Sequence, residues 1–225
     1  MIKRIAVLIV SVFFVSLIFS EERTFSHQGQ ERTYHLYLPE NLTISAPLVV
    51  VMHGYTSSAE NIMSYSKMNE VADREGFAVV YPQGTIDSEG NAFFNVGYEF
   101  HQTSKIDDVS FIRELVLYLR EEYQLSKKNT FATGMSNGGD MSYLLACTSS
   151  DLFSAVAPVA GVMMKEILDN CNSKKPIPVF ETHGTSDKIS LFEGDIENQE
   201  GWGAYYGLPE TIQFWADKHS LDKSE

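Results

Sequence analysis

The sequence predicts an α/β fold, a mostly parallel sheet covered by helices on both faces. Short apolar runs alternate with segments of helical periodicity along the chain, the pattern of successive β–α–β units. The run Leu48–Met52 is apolar at every position, as a strand buried on both faces must be. Gly134-Met135-Ser136-Asn137-Gly138 joins one such run to a helical one, so a serine stands at a strand-to-helix turn.

The elements follow in chain order. In residues 1–20, Lys3 and Arg4 precede a charge-free, largely apolar run that ends before Glu21-Glu22-Arg23. That is the layout of a secretory signal peptide, and the run is shorter than the ~20 residues of a spanning helix. The expectation is a signal peptide over 1–20, a secreted product (extracellular or periplasmic) with no membrane span after cleavage, and one domain over 21–225. With 225 residues, 44% of them hydrophobic, the chain is long enough for one sizeable core.

Residues 32–38 alternate and end at Pro39, which predicts an early, partly exposed strand. Leu48–Met52 is the central strand. Residues 61–75 place Ile62, Tyr65, Met68, Val71 and Ala72 at helical spacing and stop at Gly76, predicting one helix. Residues 77–81 form the next strand, closed by Pro82. Residues 108–123 are the clearest helix, with Phe111, Ile112, Leu115, Leu119 and Tyr123 on one side. Asp107 and Asp108 open it as caps that suit its dipole. A strand over 129–133, a helix over 139–147, strands at Ala155–Val159 and 178–183, and a helix over Leu208–Lys218 with Pro209 in its first turn complete the pattern.

The net charge of −13 argues against nucleic acid as a partner and suits a neutral polymer better than a polyanion. Cys147 and Cys171 are the two cysteines, and in an exported chain a pair is expected to be bridged, contributing ~3 kcal/mol. No Cys or His lies at ligand spacing around either, so no metal is expected. Nothing in the sequence calls for a cofactor.

The two glycines around Ser136 serve a turn that strains the serine backbone and leaves no room for bulky neighbours. A serine hydroxyl is a weak nucleophile until a base, an orienting acid and an oxyanion hole surround it. His53-Gly54-Tyr55-Thr56 follows the central strand directly. The backbone N–H groups of Tyr55 and Asn137 are the candidate oxyanion donors; the alternative is a plain turn with a hydrogen-bonded imidazole. The aromatic runs 93–94 and 202–206 either line a cleft for an aromatic ring or polymer chain or pack internally.

Several blocks together carry a family resemblance. Pro47 to Gly54, Val80-Tyr81-Pro82-Gln83-Gly84, Asp107 to Ile112, Thr133 to Gly139, Val156 to Gly161 and His183-Gly184-Thr185-Ser186-Asp187 resemble the secreted poly(3-hydroxybutyrate) depolymerase and feruloyl esterase family of α/β-hydrolases. The resemblance spans about residues 30 to 219. It implies an α/β-hydrolase fold and a serine esterase acting on polyesters or on ester groups of plant cell-wall polysaccharide. It also puts Asp187 in the role of acid, in the chain order serine, acid, histidine. Asp195 is the substitute, and His183 reads as structural.

The family pattern then requires a helix, a further strand and a loop bearing the catalytic histidine. After Asp187 the chain offers His219 alone, at a helix end. The expectation is a domain incomplete at its C-terminus, with the catalytic histidine beyond residue 225. Two classes of function remain: a secreted carboxylic-ester hydrolase working through an acyl-enzyme, and a non-catalytic binding domain of the same fold.

Overall fold

The computed structural model describes residues 22–220, and the expected signal peptide lies outside them. Glu22–His27 (β1) and Gln30–Tyr37 (β2) form an antiparallel hairpin. Its turn, Gln28-Gly29, has φ of 49° and 78°, the backbone hand that two-residue hairpins favour. The pattern along β1 gives little sign of a strand, because only His27 in it is fully buried.

Leu48–Met52 (β3) leads into two short helices, Ala59–Ser66 (α1) and Met68–Glu75 (α2), and then Ala78–Pro82 (β4). The single helix expected over 61–75 is therefore broken, at Lys67, whose φ is 55°. The break lets the Ser66 hydroxyl accept from Met68 N–H. It also turns Ile62 of α1 and Ala72 of α2 into one apolar cluster with Val51, Val79 and Tyr81. A two-residue-strand hairpin, Thr85–Ile86 (β5) and Ala92–Phe93 (β6), precedes Asp108–Glu122 (α3). Thr130–Met135 (β7), Asn137–Thr148 (α4), Ala155–Val159 (β8) and Lys165–Asp169 (α5) follow. The described residues close with Gly194–Asp195 (β9), Tyr205–Tyr206 (β10) and Leu208–Lys218 (α6).

Among the described residues the main sheet has the order β1-β2-β4-β3-β7-β8. The β4, β3, β7 and β8 strands run parallel; β1 and β2 are antiparallel additions. Leu48, Val50 and Met52 of β3 point into the larger core with Phe111, Leu115 and Met141, while Val51 points into the smaller one. Both faces are thus covered, as the apolar run of β3 requires.

Residues 178–182 lie parallel to β8, bridged at Val179 to Val156 and at Thr182 to Val159. The expected strand is interrupted for a covalent reason. Val156 and Ala160 N–H donate to Pro178 and Thr182 carbonyls, but between them stands Pro158, which has no N–H to offer.

Asp107 caps α3 as expected, accepting from Ser110 N–H at 2.9 Å. Asp108 does something else: buried, it pairs with Arg32 of β2 at 2.6 Å and accepts from Asn95 N–H at 2.7 Å. It therefore ties α3 to the sheet and to the loop before the helix. Cys147 and Cys171 form a disulfide with their Cα atoms 4.9 Å apart, holding the end of α4 to the segment after α5. No helix among the described residues is long and apolar enough to cross a membrane.

Candidate active site

Ser136 sits between β7 and α4 with φ 53° and ψ −120°, a conformation that costs a residue with a Cβ about 1–3 kcal/mol. The surroundings enforce it. Ser136 N–H donates to Val159 O of β8 at 2.9 Å, and its carbonyl accepts the first helical bond from Asp140 N–H at 2.9 Å. The glycines do what the sequence expects of them. A Cβ on Gly134 would lie 2.5 Å from the Gly138 backbone, and one on Gly138 would lie 2.2 Å from Met52 O. The turn packs directly on the end of β3, and only hydrogen fits at either position.

The β3 loop lies against the same turn, since a Cβ on Gly54 would be 3.5 Å from Ser136 Cβ. His53 is fully buried. Its Nδ1 donates to Gly54 O at 2.8 Å and its Nε2 accepts from Gly84 N–H at 2.9 Å, so the imidazole is the neutral Nδ1–H tautomer. Burial lowers its basicity in spite of the Gly54 bond. The imidazole of the plain-turn alternative is thus present, and it shapes the loop. Because the peptide is trans, holding Gly54 C=O inward turns Tyr55 N–H the opposite way. Asn137 is the first residue of α4, where an N–H has no intrahelical acceptor.

The Asn137 side chain carries a second task that the sequence did not reveal. Fully buried, it accepts from Phe94 N–H at 2.7 Å and donates to Phe94 O at 2.9 Å. Asp140, one turn along α4, accepts from the Tyr98 hydroxyl and from Val162 N–H, both at 2.6 Å. Burial pushes its carboxyl up to about 7, against those two hydrogen bonds. A small cavity of about 20 Å³, roomy enough for about one water, is lined by Ser136, Asp140, Tyr98, Trp202, Ile189 and Ser190 among others.

Asp187 bonds the backbone of two residues in that lining, Ile189 and Ser190. One carboxylate oxygen accepts from Ile189 N–H at 2.8 Å and Ser190 N–H at 3.0 Å. The substitute acid, Asp195, accepts from Gln199 and Glu200 N–H at 2.8 and 2.9 Å and closes its own turn. His183 lies 4.0 Å from Asp187, but its Nε2 donates to Ser190 O at 2.7 Å and its Nδ1 faces Glu181 at 3.3 Å. Burial raises Glu181 to about 7 as well.

The other histidines are engaged elsewhere. His27 faces Glu114, His101 faces Asp87, and His219 Nε2 donates to Ile177 O at 2.7 Å. His35 lies in β2 opposite Tyr81. Among the described residues no imidazole hydrogen-bonds the Ser136 hydroxyl. Of the aromatic runs, Phe93, Phe94 and Tyr205 are buried, whereas Trp202 lines the cavity.

The bifunctional acetylxylan esterase/xylanase XynS20E of Neocallimastix patriciarum is 27% identical over 174 residues, covering 76% of this chain and 24% of that protein. Feruloyl esterase B of Piromyces equi is 30% identical over 176 residues, covering 76% of this chain and 32% of its own length. The chain therefore spans a quarter to a third of these curated relatives. A solved thermostable esterase superposes with a TM-score of 0.61 at 19% identity, over 88% of this chain and 51% of that one, which shows the α/β-hydrolase fold. The profile of the family described as Esterase PHB depolymerase matches residues 32–218. The chain belongs to the Esterase PHB depolymerase family.

Proposed function

We propose that the protein is a secreted serine carboxylic-ester hydrolase acting through an acyl-enzyme on ester groups of plant polysaccharide or on polyester. The observation that carries this is the strained Ser136, held between two glycines that admit no side chain and beside the Gly54 loop. A strained, half-exposed serine at that point serves acyl transfer and has no evident use in packing. The relatives named above act on acetylxylan and feruloyl esters, which supports the substrate class.

In this reading Ser136 Oγ attacks the ester carbonyl while its proton passes to an imidazole. The N–H groups of Tyr55 and Asn137 hold the oxyanion, the alcohol leaves with that proton, and water then releases the acid. Asp187 orients the imidazole. Among the described residues no imidazole hydrogen-bonds Ser136, and none of them is assigned as the base. Tyr55, Asn137, Ser136 and Asp187 belong to one domain from residue 21 onward, with residues 1–20 as its export signal.

The test is hydrolysis of methyl ferulate and 4-nitrophenyl acetate by the full-length protein. Ser136→Ala is expected to cut turnover by about 10⁶-fold; turnover that survives the substitution overturns the assignment. The placement of the six histidines favours one second reading, a polysaccharide-binding domain of the same fold, which the same variant excludes if wild-type turnover depends on Ser136.

A further inference from the structure

Beside the Ser136 cavity lies an open cleft of about 350 Å³, lined by Tyr55, Phe100 and Trp202, with Asp87, Ser88 and Glu89 at its rim. Trp202 lines both spaces, so one indole forms the wall between them. The three rings make a single cluster. Centroids lie 5.7 Å apart for Tyr55–Phe100 and Tyr55–Trp202, and 5.5 Å for Phe100–Trp202. Phe100 is nonetheless 48% exposed, so the cluster presents an aromatic face to the open cleft.

The cluster is built to keep its shape. The Tyr55 hydroxyl donates to Asp87 Oδ2 at 2.7 Å and accepts from Asn91 Nδ2 at 3.0 Å. Asp87 Oδ1 accepts from Glu89 and Asn91 N–H, both at 2.9 Å, and His101 Nε2 lies 3.2 Å from Oδ2. Trp202 O accepts from Glu99 N–H at 3.0 Å. The next residue, Gly203, has φ 108°, a backbone conformation that any side chain would strain. Rings held before a ligand arrives lose little entropy when it binds.

The lining selects a chemistry. Apart from His101, whose Nε2 faces Asp87 at 3.2 Å, its ionisable groups are the carboxylates of Asp87 and Glu89 and the Tyr55 phenol, with no lysine or arginine, so an anionic ligand is disfavoured. Aromatic faces with oxygen acceptors at the edge suit a neutral ring that has an apolar C–H face and several hydroxyl donors around it. A pyranose has both. A phenolic acyl group offers one hydroxyl to a rim carrying Ser88 and Glu89, and an acetyl group offers none.

We propose that Tyr55, Phe100 and Trp202 form a stacking subsite for a neutral pyranose unit, seating the sugar that carries the ester on the alcohol side of Ser136. The proposal rests on reading Ser136 as an ester nucleophile, and its test reads binding alone.

Xylohexaose is titrated into the protein while tryptophan emission is followed. Of the two tryptophans, Trp215 is 3% exposed and stacks on Tyr143, so the change reports Trp202. Saturable quenching is expected. Phe100→Ala should weaken apparent affinity at least about tenfold, with an unchanged thermal midpoint as the check on folding. Glu89→Gln, at an exposed turn, should weaken it a few-fold. No saturable change at millimolar sugar overturns the subsite, as does undiminished affinity in both variants. Phe100-dependent quenching by ferulate in place of xylohexaose also overturns it, making the cleft an acyl pocket. Loss of sugar binding with Ser136 still reactive removes the subsite only; sugar binding without Ser136 reactivity removes the esterase reading only.

Discussion

Asn137 clasps the backbone of Phe94 with both ends of its amide, accepting from the N–H at 2.7 Å and donating to the carbonyl at 2.9 Å. The residue next to Ser136 thereby holds the loop that carries Tyr98 and Phe100. Asn137→Ala leaves two buried backbone groups unpaired, each at about 1–3 kcal/mol. The expected loss is about 2–4 kcal/mol in urea unfolding, although the Asn137 backbone N–H remains. A loss below about 0.5 kcal/mol would mean that water replaces the clasp.

Gly138 and Gly54 touch the same turn with different tolerances. A Cβ on Gly138 would meet Met52 O at 2.2 Å, whereas one on Gly54 would meet its nearest neighbour at 3.4 Å. Because backbone atoms of β3 cannot give way cheaply, Gly138→Ala should cost at least about 3 kcal/mol or abolish folding. Gly54→Ala should cost under about 1 kcal/mol. Equal effects in thermal melts would contradict the close approach of α4 to β3.

Asp140 predicts a pH dependence with a definite sign. Burial raises its folded value to about 7 from an ordinary 3.8, so between these values the folded chain binds a proton that the unfolded chain has released. Stability from this group is therefore complete below about pH 4 and declines as pH rises toward 7, at about 1.4 kcal/mol per unit. Asp140→Asn removes the titration. The stability of the variant minus that of the wild type should grow by about 3–4 kcal/mol from pH 4 to 7. Parallel pH curves for the two proteins would show that Asp140 stays charged in the fold.

The disulfide closes a 24-residue separation between Cys147 and Cys171. Replacing both by alanine should lower stability by ~3 kcal/mol, measured by urea unfolding with the wild type oxidised and reduced. A reduced wild type as stable as the oxidised one would assign the bridge no role in folding.

What the sequence discloses is what neighbours in the chain decide. The turn at Ser136 needs small residues on either side, and Gly134 and Gly138 announce it. The apolar runs of β3, β4 and β7 reflect burial on both faces. Features set by distant partners stay hidden. The β1 strand buries only His27 fully, and its one local sign is the Gln28-Gly29 turn. Lys67 breaks a regular helical pattern at a φ of 55°, and the two short helices on either side share one apolar cluster with β3 and β4. Asp108 looks like a cap until Arg32, 76 positions away, is found beside it. Asn137 and Asp140 are polar residues in a helix whose partners, Phe94, Tyr98 and Val162, come from other segments. Trp202 and Phe94 are alike in sequence terms, and only packing separates the cavity wall from the core.

The central claim is that Ser136 is an activated nucleophile, and covalent labelling by a fluorophosphonate tests it most directly. The account predicts one adduct on the full-length protein, located by peptide mass spectrometry at Ser136 and absent from Ser136→Ala. No adduct on a folded wild-type protein, or an equal adduct on the alanine variant, would contradict it.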